Sequence, residues 1–571
     1  MDEKKFSWGQ FLDKLKKIYI AEDGDDSNFI QEQPVIEETL RAIEKELNDV
    51  YKIEEPIGRG GAGVVVKLRD TRLGLDRALK IPRPKEKELI ESVRAESDYL
   101  KKVRHKNIIS VYYLGNVSIK KYPHGVPYFV MDYIEDAKDL RKALESKLSK
   151  ATKVKELSTI TRWIAKSFFG IAKAVDFLHQ NDLIHFDIKP GNILIDSNEK
   201  PVLSDLGFVK RKNDSDIKEV VGFTLFYAHR RLRDEYGHMS SKNRVKKEMA
   251  PKDFQEVFDL YAFGKTLLEI LSLVDLHFPD SVLYDYNFVY LHLAACRMLD
   301  GYNLTNSEIE NIRNKHLQNG EKLSVYRETW VEIDENTFKE IKYKNFKAII
   351  KDLDKLLVGR HFLETVSELN AFYTERIQCS EGIPAPFSER VKLIIEHPSF
   401  SRLSSVPQLG LLYSTYPTAT HSRLEHSLGV FRNCCLFVQT LFNDQYNPLF
   451  RQLVDEDDIK CVLVASLIHD IGYYPLAHEL EEIDKKFHHE KYTLKFLDSP
   501  VKDMNGYTLT EIIENKEWGW GIPIKCVKNL FNNPDDQGGL FQKKKIKEMM
   551  LSSIINGPID VDKLDYILRD S

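Results

Sequence analysis

The chain has 571 residues, which is too long for one hydrophobic core and predicts about two to four domains. Hydrophobic residues make up 42% and aromatic residues 11% of the sequence, a composition that excludes a disordered chain. The formal net charge of −5 excludes a global positive field that would draw the protein to nucleic acid or to anionic lipid.

The cysteines and the apolar runs bear on the cellular compartment. Six cysteines are scattered along the chain and none forms a C-x-x-C pair, which argues against a disulfide framework or a zinc knuckle and favours a reducing compartment. The N-terminus is charged, and no apolar run approaches about 18 residues, so we expect neither a signal peptide nor a membrane span. We therefore expect a cytoplasmic protein with no membrane partner and no strong affinity for nucleic acid.

Hydrophobic periodicity divides the chain into segments. Residues 1–50 are charged, and their amphipathic stretch FLDKLKKI predicts a helical extension. Strand-like alternation recurs in GVVVKLRD, RALKIPR and VPYFVMDYI, and helical periodicity dominates afterwards. The stretch CSEGIPAPFS, rich in Pro, Gly and Ser, indicates a linker. The predicted segments are the extension at 1–50, a β-then-α module at 51–365, a linker at 366–388 and an all-α module at 389–571.

A glycine-rich motif opens the first module. The sequence IGRGGAGVVV matches G-x-G-x-x-G-x-V through Gly58, Gly60, Gly63 and Val65. Glycines allow backbone amides to approach phosphates without a Cβ in the way. The motif alone is weak, because glycine-rich turns are common. The flanking strands favour a hairpin lid over the strand-to-helix turn of a dinucleotide site.

Further polar residues follow this motif in a set order. The apolar strand RALK carries Lys80, whose ammonium needs a partner, and the stretch SVRAESDYLKKV carries Glu96, which can supply one. The stretches HFDIKPGNILI, VLSDLGFVK and DLYAFGKTLLEIL then add Asp187, Lys189, Asn192, Asp205 and Asp259.

This ordered set resembles the protein kinase family over about residues 50–275. The resemblance implies a bilobal kinase fold, with an antiparallel sheet in the N-lobe and a helical C-lobe, and an ATP-dependent serine/threonine protein kinase. It implies that Asp187 accepts the proton of the attacking hydroxyl, that Lys189 marks the serine/threonine class, and that Glu96 holds Lys80 against the phosphates. It implies Mg²⁺ binding by Asn192 and Asp205. The implied ATP contacts are Gly58, Gly60, Gly63, Val65, Ala78, Lys80, Met131, Asp132, Ile134, Asn192 and Asp205.

Two departures from the kinase pattern concern the substrate side. Phe186 precedes Asp187 where many kinases carry an arginine, which argues against switching by phosphorylation of the activation loop. The family's A-P-E triplet reads Ala228-His229-Arg230, so other contacts must brace the substrate-binding floor. We expect an active kinase with an unusual or internal substrate, and the alternative is an ATP-binding regulatory domain.

Histidines and aspartates recur in the second module. A buried His469-Asp470 pair in the apolar stretch LVASLIHDIGYYPLAHELEE needs charge compensation. His426 in HSRLEHSLGV and Asp562 in DVDKLDYILRD can supply partners. Two neutral imidazoles and two carboxylates leave open positions on a divalent ion, which suits hydrolysis of a phosphoryl group. At helical spacing one face of the last stretch carries Asp562, Lys563, Tyr566 and Asp570.

These motifs are similar to the HD phosphohydrolase superfamily, and more closely to its dNTP triphosphohydrolase branch, over about residues 387–571. The resemblance implies an all-α HD domain, and therefore a multidomain α+β protein overall. Leu409 would crowd the 2′ position and favour deoxyribose, and His478 would be the acid/base histidine, supported by His489 and Glu490. The implied metal ligands are His426, His469, Asp470 and Asp562. The implied substrate contacts are Gln408, Leu409, Arg423, Lys563, Tyr566 and Asp570.

Departures from the two family patterns keep three interpretations open. Tyr473 stands where the family has a second histidine, and tyrosine is a poor general base at neutral pH. In the first interpretation both modules are active. In the second the kinase is the enzyme and the HD domain is a nucleotide sensor, and in the third the kinase-like domain regulates an HD hydrolase. The cofactors expected are ATP with Mg²⁺, and Mg²⁺ or a transition metal in the HD domain. The partners expected are a deoxynucleotide and a protein substrate, which fusion allows to be the chain itself. Family analogy suggests anti-phage defence and leaves a homo-oligomer open.

Overall fold

A computed structural model of the chain describes residues 7–23, 26–47, 50–60, 63–82, 103–206, 209–212, 226–229, 256–279, 281–299, 339–358, 365–370, 375–378, 384–411, 421–444, 448–477, 480, 489–531 and 546–570. The chain forms two units, each with its own hydrophobic core. Unit 1 comprises Met1–Glu335 and Lys342–Leu357. Unit 2 comprises Asn336–Ile341 and Val358–Ser571.

Unit 1 begins with two helices and a five-stranded sheet. The helices are α1 (Trp8–Asp23) and α2 (Ser27–Leu47). The strands are β1 (Tyr51–Gly60), β2 (Gly63–Asp70), β3 (Asp76–Pro82), β4 (Val111–Ile119) and β5 (Tyr122–Asp132). Every pairing is antiparallel, in the order β1-β2-β3-β5-β4.

The two N-terminal helices cover one face of this sheet. Alternate residues of β2 (Val64, Val66 and Leu68) are at most 1% exposed, as the period of a half-buried strand requires. They share a core with Leu15 and Leu40 of the helices. The predicted N-terminal extension is therefore a packed layer on the sheet.

The rest of unit 1 is mainly helical, around a second and larger core. The central helix α5 is buried on nearly all sides, as expected for a sequence that is apolar all round. The helices are α3 (Leu140–Leu148), α4 (Leu157–Gln180), α5 (Val257–His277), α6 (Tyr286–Met298) and α7 (Phe346–Val358). The short strands are β6 (Lys138–Asp139), β7 (Leu183–Ile184), β8 (Ile193–Ile195), β9 (Pro201–Leu203) and β10 (Lys210–Arg211).

The described residues of unit 2 are mainly helical, and their strands are the two-residue ladder of β11 (Arg376–Ile377) with β12 (Ala385–Pro386). Helices α10 and α12 run through its core, and every residue of α12 from Ile459 to Ile468 except Lys460 is buried. The helices are α8 (Glu389–Glu396), α9 (Pro398–Ser401), α10 (Arg423–Asn443), α11 (Leu449–Leu453), α12 (Glu456–Ile468), α13 (His489–Leu497), α14 (Leu509–Glu514), α15 (Ile524–Phe531), α16 (Ile546–Asn556) and α17 (Val561–Asp570).

These observations confirm the predicted fold class, an antiparallel sheet and a helical region followed by a helical C-terminal module. None of the helices that the structure describes combines the length and apolar character that a membrane crossing needs. The predicted domain limits stay predictions, but part of the expected linker at 366–388 packs in unit 2. Val366, Leu369 and Ala385 are at most 2% exposed in its core. Turn-forming residues at 379–388 did not reveal this packing.

The prediction about disulfides needs a correction. Cys461 of α12 and Cys526 of α15 form a disulfide, with their Cα atoms 6.2 Å apart and a sequence separation of 65. The two cysteines meet because α12 packs against α15, a tertiary contact that leaves no short spacing motif in the sequence. Free cysteines remain at Cys296, Cys434 and Cys435 among the described residues.

Candidate functional site

The glycine motif of unit 1 lies on the hairpin of β1 and β2, as the flanking strands predicted. Gly58 faces Val65 across the ladder, and Gly60 faces Gly63. A Cβ added at Gly58 would meet no described atom within 4 Å, so the space beside this glycine is open. The hairpin can therefore approach a ligand through its backbone.

A lysine and an aspartate meet beneath this hairpin. Lys80 lies opposite Val65 in the β2–β3 ladder, and its ammonium forms an ion pair with the carboxylate of Asp205. Burial alone raises the pKa of Asp205, but the charge and hydrogen bond of Lys80 outweigh burial and hold the pKa below its ordinary value. Asp205 has a φ of +59°, an uncommon conformation for a residue with a side chain. Glu96, the predicted partner of Lys80, lies outside the described residues.

A loop carries the next polar group of unit 1. Asp187 is 1% exposed and accepts hydrogen bonds from the ammonium of Lys189 at 2.7 Å and from the amide of Asn192 at 2.9 Å. The carbonyl of Asn192 accepts from the backbone of Ser204 at 2.8 Å, which brings Asp205 beside the loop. We call Lys80, Asp187, Asn192 and Asp205 the unit 1 site.

Asp259, at the start of α5, holds the loop that carries Asp187. Its carboxylate accepts from the backbone amides of His185 at 2.8 Å and Phe186 at 2.9 Å and bonds His179 Nε2 at 2.9 Å. Phe186 has a φ of +66°, and these bonds hold its backbone in that conformation. The sequence identified Asp259 but gave no signal for His179.

Strand β5, which pairs with β3, presents backbone groups next to the unit 1 site. Met131 pairs with Ala78 between β3 and β5. The amide of Asp132 donates to the carbonyl of Ser110 at 3.0 Å. Ile134 is partly buried against the larger, mainly helical core of unit 1. This arrangement suits the predicted adenine contacts.

Aromatic packing surrounds the part of unit 1 that carries Ala228 and His229, the described residues of the altered A-P-E triplet. The ring of His229 lies 5.4 Å from that of Phe258 and 5.1 Å from that of Tyr261. The hydroxyl of Tyr227 bonds the buried carboxylate of Glu269. Arg230 lies outside the described residues.

Unit 2 brings the four predicted metal ligands together from α10, from the turn that follows α12, and from α17. Nε2 of His426 lies 2.9 Å from a carboxylate oxygen of Asp562 and 3.6 Å from one of Asp470. Nε2 of His469 lies 3.4 Å from Asp470 and 3.8 Å from Asp562. Ligand atoms of His426, His469 and Asp470 all lie within 4.8 Å of one another. We call these four residues the unit 2 site.

The histidine nitrogens of this site are oriented for a metal. Nδ1 of His469 bonds the carbonyl of Ser466 at 2.9 Å, so its proton lies on Nδ1 and the lone pair on Nε2. This Nε2 is buried and has no hydrogen-bond partner among the described residues. A buried nitrogen with a free lone pair between two carboxylates fits a divalent cation.

Asp565 completes the site and was not identified from the sequence. This residue is fully buried, and its carboxylate lies 2.8 Å from Nδ1 of His426. Burial lowers the pKa of His426, but hydrogen bonds to Asp562 and Asp565 outweigh burial and raise the pKa to about 9. Asp565 follows Asp562 by three residues in α17, a helical spacing that could have revealed it.

Arg423 lies beside the unit 2 site. Its guanidinium donates to Asp470 at 2.8 Å and to the carbonyl of Gln408 at 3.3 Å. The same group stacks 3.6 Å above the ring of Tyr473, which is 4% exposed. Tyr473, the departure from the family pattern, therefore serves as a platform for Arg423.

The structure describes some of the other predicted residues of unit 2 and leaves the side chains of others outside the described set. The ammonium of Lys563 bonds Asp560 at 2.6 Å and the carbonyl of Gly557 at 2.7 Å, at the start of its own helix. Tyr566 is 54% exposed, and Leu409 is half-buried. The side chains outside the described set are those of His478, His489, Glu490 and Asp570.

Comparisons with known proteins agree with this geometry. Residues 51–274 match the family model of the protein kinase domain, and residues 423–516 match that of the HD domain. A probable serine/threonine-protein kinase of Clostridium acetobutylicum is 32% identical over 232 residues, which cover 40% of this chain and 30% of that protein.

The second module has relatives of its own. The deoxynucleoside triphosphate triphosphohydrolase SAMHD1 of Mus musculus is 34% identical over 197 residues, covering 31% of this chain and 28% of that protein. A putative HD domain-containing protein of Acanthamoeba polyphaga mimivirus is 32% identical over 192 residues, covering 31% of this chain and 38% of that protein. The chain thus spans between 28% and 38% of the length of these three relatives.

Proposed function

We propose that this chain, which joins a protein kinase domain to an HD domain, is a bifunctional enzyme. The first domain transfers the γ-phosphoryl group of ATP to a serine or threonine hydroxyl. The second hydrolyses deoxynucleotides as a dNTP triphosphohydrolase. The observation that carries the proposal is that each unit gathers a polar site from residues far apart in sequence.

The contacts of the unit 1 site support phosphoryl transfer. Asp187 is held by Lys189 and Asn192, an arrangement that can orient a hydroxyl and accept its proton. Lys80 is positioned for phosphate oxygens, and the carboxamide of Asn192 with the carboxylate of Asp205 would hold Mg²⁺. When bound, Mg²⁺ supplies charge neutralisation for the phosphates. The lysine two residues after Asp187 supports the serine/threonine class.

The contacts of the unit 2 site support hydrolysis of a phosphate ester. His426, His469, Asp470 and Asp562 would hold a divalent ion, which supplies Lewis-acid chemistry when bound. Arg423 lies beside these ligands on its tyrosine platform and can bind a phosphoryl oxygen. The likeness to a deoxynucleoside triphosphate triphosphohydrolase supports dNTPs as substrates.

Labelled ATP tests the kinase half. We expect phosphate incorporation into the chain or an added protein with Mg²⁺, and its loss in Asp187→Asn. The matched control is Asp354→Asn, the same chemical change at an exposed position of α7. Equal incorporation in the unaltered protein and in Asp187→Asn would contradict the proposal.

Product chromatography tests the hydrolase half. We expect purified protein with Mg²⁺ or Mn²⁺ to convert dNTP to deoxynucleoside and triphosphate, and the double change His469→Ala with Asp470→Ala to abolish both turnover and bound metal. Asp457→Ala, at an exposed position of α12, should keep both. Metal binding without turnover would instead favour the HD domain as a nucleotide sensor, an alternative that the tyrosine in place of a second histidine supports.

The biological role is a finer proposal. Hydrolysis of dNTPs removes the precursors of DNA synthesis, so the activity suits defence of a bacterial cytoplasm against phage. The expected result is that cells expressing the chain resist infection and that the His469→Ala, Asp470→Ala change removes resistance. Unchanged resistance in that variant would rule out nucleotide depletion as the cause.

A further inference from the structure

The N-terminal helices contact the strand that carries the glycine motif. Helix α1 lies along β1, where Leu15 shares a core with Ile53. The ammonium of Lys14 forms an ion pair with the carboxylate of Glu55 in the same strand. The helices thus pack on the strand that forms half of the lid.

One residue connects the lid itself to these helices. Arg59 stands between Gly58 and Gly60, and it is only 6% exposed. Its guanidinium lies 4.0 Å from the centre of the Tyr19 ring of α1. A cation over an aromatic face at this distance is attracted by the ring. The side chain of the lid therefore points into the helical layer.

Tyr19 is in turn held by the second helix. It is fully buried, its hydroxyl donates to the carboxylate of Glu32 at 2.8 Å, and its ring packs edge-on against Phe29 at 5.4 Å. Both partners belong to α2. The anchor for Arg59 is consequently a fixed ring in a packed core.

A glycine-rich hairpin loses much conformational freedom when it closes on a ligand. An anchor that already restricts the hairpin in the free protein lowers that loss, so the ligand binds more tightly. Arg59 provides such an anchor at the centre of the motif, while the flanking glycines leave the backbone open to phosphates.

We propose that the Arg59–Tyr19 contact makes the N-terminal helices a positioning element of the ATP site. This inference rests on the proposed kinase function and extends the site beyond the kinase domain that the family model matches. Arg59 and Tyr19 are positioning residues, which act through the lid backbone. Loss of the contact weakens ATP binding and leaves the phosphoryl-transfer step unchanged.

Two variants of Arg59 test this role in the full chain. Arg59→Met keeps the aliphatic stem and removes the cation, and Arg59→Lys restores a cation. For a cation–π contact we expect Arg59→Met to raise the KM and the dissociation constant for ATP about three- to tenfold, with kcat within about twofold. Arg59→Lys should recover most of the affinity.

Two controls separate positioning from general destabilisation. Tyr19→Phe keeps the ring and should keep ATP affinity, although it loses the bond to Glu32. Hydrolysis of dNTP by unit 2 should be unchanged in Arg59→Met. In the absence of ATP, the backbone amides of β1 within 55–60 should exchange hydrogen faster in Arg59→Met than in the unaltered chain.

The outcomes distinguish the inference from the proposed function. If the unaltered chain binds no ATP in calorimetry, the kinase function itself is wrong. If it binds ATP and Arg59→Met binds equally well with equal hydrogen exchange, only the positioning role is overturned. A fall in kcat with unchanged KM would also overturn it.

Discussion

Asp565 decides which nitrogen of His426 faces the carboxylates of the unit 2 site. Because its carboxylate bonds Nδ1 at 2.8 Å, the proton stays on that nitrogen and Nε2 points toward Asp562. Such partners of metal-binding histidines fix the tautomer and the orientation of the ring. A residue that touches no substrate can therefore set metal affinity.

We predict that Asp565→Asn weakens divalent metal binding about tenfold, since a neutral amide holds the Nδ1–H less strongly. Isothermal titration with Mn²⁺ measures the change. Asp457→Asn, at an exposed position of the same unit, should bind metal as the unaltered chain does. Equal affinity in Asp565→Asn would show that this carboxylate does not set metal affinity.

Single residues were predictable where chemistry sets a spacing. The set His426, His469, Asp470 and Asp562 was predicted because family motifs surround each member. The buried pair of Arg297 with Asp352, at 2.8 Å, was not, because its partners lie on two helices that only the fold brings together. Residues that support a site through packing leave no spacing in the sequence.

At the scale of elements, the segment before α8 has a structural role that composition concealed. Glu368 is buried, and its carboxylate pairs with the guanidinium of Arg390 and accepts from Ser388, which also caps α8. The turn-forming residues that suggested a linker thus lie beside an ionic contact that fixes the first helix of unit 2. Strand alternation and helical periodicity, in contrast, predicted the sheet and the helices well, because those patterns are local.

We predict that Glu368→Gln destabilises unit 2 by about 3 kcal/mol at pH 7, because the arginine loses its buried partner. Burial alone raises the pKa of Glu368, but Arg390 and Ser388 outweigh it and hold the pKa below its ordinary value. The stabilisation is therefore complete above the pKa of an unfolded glutamate, about 4.3, and is lost as the pH falls through the lower folded pKa.

Urea unfolding between pH 3 and 7 checks this prediction. The stability of Glu368→Gln should fall less steeply with acid than that of the unaltered chain. Glu396→Gln, an exposed change on α8, should follow the unaltered chain at every pH. Parallel acid profiles in Glu368→Gln would contradict the assignment.

The disulfide joins two elements of unit 2, and we predict that its reduction lowers the stability of that unit by about 2–4 kcal/mol. The reason is that the bond restricts a loop of the unfolded chain. Thermal unfolding with and without dithiothreitol measures the change. Cys296→Ser, in unit 1, is the control and should leave this difference intact, whereas identical unfolding under both conditions would contradict a stabilising bond.

At the scale of the whole molecule, each of the two units carries its own site. The unit 1 site lies in the part of the chain that matches a kinase domain, and His426, His469 and Asp470 lie in the part that matches an HD domain. Asp562 lies beyond that match and was predicted from its motif alone. Ligands that bind one folded unit stabilise that unit by mass action.

We predict that ATP added to protein already saturated with Mg²⁺ raises the unfolding temperature of unit 1 only. Mn²⁺ alone should raise the unfolding temperature of unit 2 more than that of unit 1. At a ligand concentration of 100 times the dissociation constant the expected gain is about 2.7 kcal/mol, or roughly 5–10 °C. Calorimetry resolves the two transitions. The His469→Ala, Asp470→Ala variant should lose the Mn²⁺ shift and keep the ATP shift. A single transition that responds to both ligands would contradict independent units.

The residues of the unit 2 site lie in α10, directly after α12 and in α17, and this spread sets an order of events during synthesis. The residues proposed to bind ATP are encoded between Gly58 and Asp205, whereas the proposed metal site includes Asp562 on the last described helix. During translation the nucleotide pocket can therefore form before Asp562 has been synthesised. Newly made chains can then bind ATP first and the metal ion of unit 2 afterwards.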